Sequence, residues 1–264
     1  MSDTLNTVIL GIIEGITEFL PVSSTGHLLI AERWLGERSE LFNVAIQAGA
    51  ILALVLIYWR RLLDLLLRFN VPANRDYLAK LTVAFLITGA GGFIATRLGW
   101  KLPESVLPIA LAMLIGGVLI LGIEAYVAGK PSSSVVTWNV AFWVGACQIL
   151  AAVFPGTSRS AATIFAAMLA GLTLRPAATE FAFLVGIPTM FAATAYELLK
   201  VRGQAASEDW HAVTVGFVVS GVVAFIAVKW LLRYVQSHRF TLFAWYRIGV
   251  GAALLVLVWQ GVMR

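Results

Sequence analysis

Charge is what this chain has least of. Asp, Glu, Lys and Arg make up 12% of its 264 residues, against about 25% in a soluble globular domain. So few charges cannot cover a soluble surface, and a net charge of +5 leaves no basic domain for nucleic acid, so no nucleic-acid partner is expected. Cysteine occurs once, at Cys147, which excludes an internal disulfide and a thiolate metal cluster. The opening residues MSDTLNTV contain no Lys or Arg, so the basic region of a cleaved signal peptide is not expected. What is present is apolar: 60% of residues are hydrophobic and the mean hydropathy is +0.88. This composition predicts an all-α integral membrane protein, a single polytopic membrane domain over 1–264.

A helix needs about 20 apolar residues to cross the hydrocarbon core. Six stretches qualify: Leu41–Trp59, Leu78–Arg97, Val106–Val127, Ala177–Leu199, Ala212–Leu232 and Phe243–Val262. Trp34, Trp59, Trp100, Trp230 and Trp259 stand near span ends, where interfacial anchors belong. Two further regions, 5–35 and 138–172, are apolar but cut by a proline followed by Ser and Thr. Each half has about 12–16 residues, too few to span, so both regions read as re-entrant helix pairs whose broken backbone must be buried in protein.

The two broken regions resemble each other. Gly11 to Pro21 and Gly145 to Pro155 have the same spacing, followed by VSSTGH in one and GTSRSA in the other. In this register Ser24 falls on Ser158 and Thr25 on Arg159, while Glu14 and Glu18 fall on Gln148 and Ala152. The acids sit in one copy and the base in the other, which suggests a duplication with divided labour over roughly 1–130 and 131–264. Arg60, Arg61, Arg68, Arg75 and Lys80 in one connection, and Lys229, Arg233 and Arg239 in another, favour the cytoplasm. Six spans then put both termini outside. The pairs enter from opposite sides as inverted repeats whose tips meet near mid-membrane, a design familiar from transporters.

Glu14 and Glu18, four apart in an apolar run, share one helix face. Pro21 is expected to end that helix, with Ser23, Ser24 and Thr25 as candidate N-caps of the next and Gly26 and His27 in its first turn. A charge at the bilayer centre is expensive, so the acids need a partner or a cavity. Three uses fit: an ion pair with Arg159 that ties the tips together, a divalent cation on oxygen ligands, or general-base catalysis. Arg159 lies in FPGTSRSAAT, where Thr157 or Ser158 can cap a helix whose N-terminus favours anions. Its guanidinium matches phosphate oxygens, and Ser158, Ser160 and Thr163 add hydroxyls. His27 serves either as a structural hydrogen-bonding group or as base or nucleophile. Gln47, Asn43, Tyr196 and Glu197 are weaker candidates, for which ordinary helix-end or interhelical bonding suffices. Acids, base and hydroxyls around two helix starts fit metal-assisted phosphoryl transfer.

EGITEFLPVSSTGH (Glu14–His27) and PGTSRSAATI (Pro155–Ile164) together closely resemble the undecaprenyl-diphosphate phosphatase family of the bacitracin-resistance type. FNVAIQAGAILALVLIYWRRL (Phe42–Leu62) and FAWYRI (Phe243–Ile248) extend the resemblance over essentially the whole chain. Ala161 stands where the family often has Gly, a change that removes no functional group. The resemblance implies a bacterial inner-membrane phosphatase that removes the terminal phosphate of a polyprenyl diphosphate and returns the monophosphate to cell-wall synthesis. It implies catalytic roles for Glu14, Glu18, Ser24, His27 and Arg159, with Mg²⁺ or Ca²⁺ at Glu14 and Glu18. Diphosphate binding falls to Arg159 with Ser158, Ser160 and Thr163; Ser23, Thr25, Gly156 and Thr157 line the same turns. It also implies an interlocked inverted repeat, a site opening to the outer face, and a homodimer. The acid-phosphatase superfamily also uses SGH and SR motifs, but the second His it expects is missing from 160–170. The nucleophile stays open between Ser24 and a water activated by Glu or His27. Arg159→Ala is expected to abolish turnover with folding intact. The competing class is a lipid flippase or proton-coupled carrier, which would release no phosphate in detergent.

Overall fold

The computed structural model describes residues 3–98, 105–201, 203 and 208–262. Among these the chain forms ten α-helices and no strand: α1 (Asp3–Thr17), α2 (Ser24–Leu35), α3 (Glu40–Leu67), α4 (Pro72–Arg97), α5 (Val106–Ala128), α6 (Trp138–Val153), α7 (Arg159–Leu169), α8 (Arg175–Val201), α9 (Trp210–Ser237) and α10 (Thr241–Trp259). Six of them, α3, α4, α5, α8, α9 and α10, are long and apolar enough to cross a membrane, and they coincide with the six expected spans. Trp34, Trp59, Trp230 and Trp259 are all exposed; Trp100 lies outside the described residues.

Helix ends depart from the hydropathy limits because a helix stops where its backbone loses partners. α3 runs past Trp59 to Leu67, where Asp64 pairs with Arg61 at 3.6 Å and with the C-cap residue Arg68 at 3.2 Å. Side-chain caps set the other limits: Ser39 accepts from Phe42 N at the start of α3, Thr137 from Val140 N at α6, and Asp209 from His211 N and Ala212 N at α9.

The four short helices form two pairs, α1–α2 and α6–α7. Each pair is tied across its open end by an asparagine on its first helix. Asn6 Nδ2 donates to Leu35 O at 2.8 Å, and Asn139 Nδ2 donates to Ala170 O at 3.3 Å. Arg38 adds an ion pair to Asp3 at 2.7 Å, which holds that exposed carboxyl below its usual pKa.

Each first helix packs on a long helix from the other half of the chain, through glycine. α1 lies on α9, where a Cβ on Gly11 would meet Gly216 O at 3.0 Å and Val219 at 3.2 Å. α6 lies on α4, where a Cβ on Gly145 would meet Ala84 O at 2.6 Å and Ile87 at 3.1 Å. α5 and α10 pack together in the same way through Gly117 and Gly251. Between α5, α8 and the start of α10, Glu124 is buried and fully partnered. It accepts from Arg175 Nε at 3.0 Å and Nη2 at 2.5 Å, and from Phe240 N at 2.9 Å.

Candidate active site

The chain breaks between α1 and α2 at residues 18–23 and between α6 and α7 at 154–158. α1 ends at Thr17, earlier than Pro21 itself, because a proline ring in a helix collides with the carbonyl four residues back, here that of Thr17. Glu18 still donates its N–H to Glu14 O at 2.9 Å, so its side chain stays on the Glu14 side. On the far side of each break a serine precedes the next helix with positive φ, Ser23 at 76° and Ser158 at 68°. Non-glycine residues hold this conformation at about 1–3 kcal/mol, a strain that collects at functional sites. The two serines are therefore equivalent, and Ser24 pairs with Arg159. This corrects the sequence register by one residue, because three positions separate Pro155 from its cap and two separate Pro21 from its own. Gly156 is required for a further reason: at φ 88° a Cβ would press on Ile109 O at 2.8 Å.

The two breaks are tied together. Arg159 Nη2 donates to Glu18 Oε1, and Ser24 Oγ donates to Glu18 Oε2 at 2.5 Å. Ser160 Oγ donates to Leu20 O at 2.9 Å. The Glu–Arg159 ion pair, one of the three uses that fit the acids, is thus present at Glu18, whose side chain is 2% exposed against 25% for Arg159.

Around this pair is a hollow of about 210 Å³, lined by Glu18, Ser23, Ser24, Thr25, Ser158 and Arg159 together with Gly156. A second hollow of about 260 Å³ is lined by Glu14 and Asn43; Ser24, Thr25 and Gln47 line both. Ser160 and Thr163 belong to a narrow cleft with Glu18 and Arg159. Their hydroxyls are already donated, Ser160 to Leu20 O and Thr163 to Arg159 O at 2.9 Å, so they brace the break. Ser158 Oγ caps α7 by accepting from Ala161 N at 3.3 Å. Thr157 does not line the hollow; its N–H turns back to Phe154 O at 3.3 Å.

His27 is directed elsewhere. Nδ1 lies 2.7 Å from Ser23 O and Nε2 lies 2.7 Å from the Tyr246 hydroxyl, on which the imidazole also stacks. A carbonyl only accepts, so Nδ1 carries a proton; in the neutral ring Nε2 then accepts from Tyr246. His27 lines neither hollow. Tyr196 and Glu197 are likewise apart from the site, both engaged with Lys200.

Two residues matter that sequence reasoning passed over. Arg247 is fully buried and donates to Pro21 O at 3.4 Å and Gly156 O at 3.0 Å, one carbonyl from each break, and to Ala112 O and Met113 O of α5. The available signal was an arginine inside the apolar run of α10. Gln148 lines the first hollow, 2% exposed, with neither side-chain polar atom hydrogen-bonded. No cluster of three or more His, Cys, Asp or Glu suited to a metal occurs among the described residues. The acids nearest the breaks are Glu14, whose Oε2 has no partner, and Glu18, whose two oxygens are both engaged.

Residues 7–253 match the family model described as Bacitracin resistance protein BacA. The chain belongs to this family. The BacA match contains both breaks, Gln148 and Arg247. A relative from Rhizobium johnstonii is 62% identical over 263 residues, covering 99% of each chain. One from Rhizobium etli is 61% identical over the same span, and one from Xanthomonas euvesicatoria is 55% identical over 258 residues, 97% of each chain. All three are named undecaprenyl-diphosphatase.

Proposed function

We propose that this protein hydrolyses undecaprenyl diphosphate to undecaprenyl phosphate and inorganic phosphate at the hollow between the two breaks. The observation that carries the reading is the Ser24–Glu18–Arg159 chain: a hydroxyl on a carboxylate, with a guanidinium beside it. The names of its full-length relatives agree with it. Diphosphate entering the hollow displaces Glu18 from Arg159, whose planar fork suits phosphate oxygens. Glu18, released from that pair, is placed to take the Ser24 proton. Oγ of Ser24 attacks the terminal phosphorus as the bridging P–O bond breaks, and the lipid monophosphate leaves with the bonding electrons. Glu18 passes that proton to the departing lipid phosphate, then takes one from a water that attacks phosphoserine and returns it to Ser24 Oγ as the Oγ–P bond breaks, so that inorganic phosphate departs and the Ser24 hydroxyl is restored. Trapped phosphoserine at 24 tests this order; full activity in Ser24→Ala selects direct attack by water.

A divalent cation, Mg²⁺ or Ca²⁺, belongs to the same reading. The open oxygen of Glu14, with Glu18 once Arg159 turns to the substrate, would hold it, and it would neutralise phosphate charge.

The short pairs are read as re-entrant and the two halves as inverted repeats. At about 1.5 Å per residue, α1 and α7 reach about 22 and 16 Å, short of the roughly 30 Å core. The Asn6 and Asn139 ties return each second helix to the start of the first. The exchange of partners, α1 on α9 and α6 on α4, is what duplication with inversion would leave. With the basic connections in the cytoplasm of an inner membrane, the site opens to the outer face, and the protein is taken as a homodimer.

The decisive experiment is phosphate release from undecaprenyl diphosphate by purified protein in detergent, where no gradient survives. Release by wild type and none by Arg159→Ala, assayed below the variant's unfolding midpoint, supports the reading; no release by folded wild type, with Mg²⁺ or Ca²⁺ supplied, overturns it in favour of a carrier.

A further inference from the structure

We infer that Gln148 is a substrate-contacting residue that donates from Nε2 to an anionic oxygen of the bound diphosphate, an assignment that rests on the phosphatase reading above. Gln148 stands one turn after Gly145, the glycine that seats α6 on α4, so its backbone position is tightly held. Its side chain is 2% exposed, yet Nε2 and Oε1 are both without partners. Buried amides are rarely left so, because an unmet donor or acceptor carries its full desolvation penalty. The neighbouring hydroxyls do not relieve it. Thr88 donates to Ala84 O and Gly145 O, and Thr189 to Val185 O.

The hollow it lines is walled by Arg159, Ser24 and Glu18. The chemistry of the amide narrows what completes it. A prenyl chain would leave every polar atom unmet. A metal ion would use Oε1 alone and leave two N–H groups facing a cation. A phosphate oxygen takes the N–H donors and is the group Arg159 already selects. In the repeat register Gln148 is the counterpart of Glu14. One copy thus offers a carboxylate and the other a neutral donor, which avoids setting a second negative charge against an anionic substrate.

An amide unmet without substrate weakens the empty fold, so removing it separates function from structure. In Gln148→Met, which keeps the length of the side chain, kcat/KM for undecaprenyl diphosphate in detergent is expected to fall about tenfold to a hundredfold. Its thermal unfolding midpoint should equal or exceed that of wild type, and its dependence on Mg²⁺ concentration should not move. Gln148→Glu, of nearly equal volume, should raise KM further than Gln148→Met by like-charge repulsion. The inference is overturned by Gln148→Met within threefold of wild-type kcat/KM, by an activity loss accompanied by a lower midpoint, or by Gln148→Glu outperforming Gln148→Met. If these occur while wild type is active and Arg159→Ala silent, only the role of Gln148 falls. A wild type that releases no phosphate removes the phosphatase reading and this role together.

Discussion

In α1–α2 the residue before the second helix is Ser23, at φ 76° with no side-chain cap bond; in α6–α7 it is Ser158, at φ 68° with Oγ on Ala161 N. The next residue is Ser24 in one pair and Arg159 in the other, and both converge on Glu18. One turn into each first helix from its packing glycine stand Glu14 and Gln148. The packing alternates too. Gly15 of α1 faces Val223 of α9, whereas Ile149 of α6 faces Gly91 of α4, so the large and small residues have changed sides. The two pairs share a backbone device, a strained serine ahead of a helix start, and differ in the side chains around it: an acid and a hydroxyl on one side, a cation and an amide on the other.

Removing the cation should break this division most severely. Arg159→Ala is expected to lower phosphate release by about 10³-fold or more, in line with arginines that stabilise phosphoryl-transfer charge, and Arg159→Lys should rescue little because it lacks the planar fork. Folding is not expected to escape, contrary to the sequence expectation. Glu18 would be left buried without its ion partner, at about 3–5 kcal/mol. Adding Glu18→Gln should recover much of the unfolding midpoint and none of the activity. Recovery of activity in the double variant would make the ion pair merely structural.

The next effect concerns the residue that touches both pairs. Arg247→Met removes the donor to Pro21 O and Gly156 O, leaving buried carbonyls unmet at about 1–3 kcal/mol each. The breaks would shift relative to one another, and a displacement near 1 Å at reacting groups can cost about a hundredfold. Phosphate release and thermal unfolding should therefore both fall. A stable variant with wild-type turnover would show that the breaks hold their positions without this clasp.

Much of this was legible in the chain. The six spans follow from hydropathy, and Glu18, Ser24 and Arg159 were chosen because charge and hydroxyls are out of place in apolar segments. The rest depended on distance in space. Arg247 is missed in the sequence because its partners are backbone carbonyls from elements over 90 positions away, which carry no side-chain signature. In the sequence Gln148 figures only as the residue aligned with Glu14, because being unpartnered is a property of surroundings. His27 fits the motif but faces Tyr246, 219 positions on, and spacing along the chain does not report where a ring turns.

A smaller effect tests the size exchange. A Cβ at Gly15 meets Ser220 O at 2.6 Å and Ala224 N at 2.9 Å, both backbone, so α1 and α9 must separate. Overpacking of this kind costs about 1–3 kcal/mol. At Gly91 the obstacle is the end of the Ile149 side chain, which can turn. Gly15→Ala should therefore lower the unfolding midpoint more than Gly91→Ala, and Ile149→Val should restore only the latter. Equal losses would remove the packing asymmetry between the pairs.

The smallest expected effect concerns a motif residue that has no polar counterpart in the second pair. Counted from the strained serine, His27 corresponds to Ala162 of α7, so whatever the imidazole does has no counterpart in the second pair. Tyr246→Phe keeps the stacked ring and removes the hydroxyl from Nε2, while Nδ1 remains anchored on Ser23 O. If His27 chiefly steadies the strained Ser23 turn, kcat should change by less than about tenfold, since a neutral hydrogen bond is worth about 0.5–1.5 kcal/mol. His27→Ala should then cost more than Tyr246→Phe, because it also removes the Nδ1 donor and leaves the Ser23 carbonyl only the backbone N–H of residue 27 at 3.4 Å. A loss beyond a hundredfold in Tyr246→Phe, with the unfolding midpoint unchanged, would instead make the tyrosine–histidine pair a proton path and bring His27 into the chemistry.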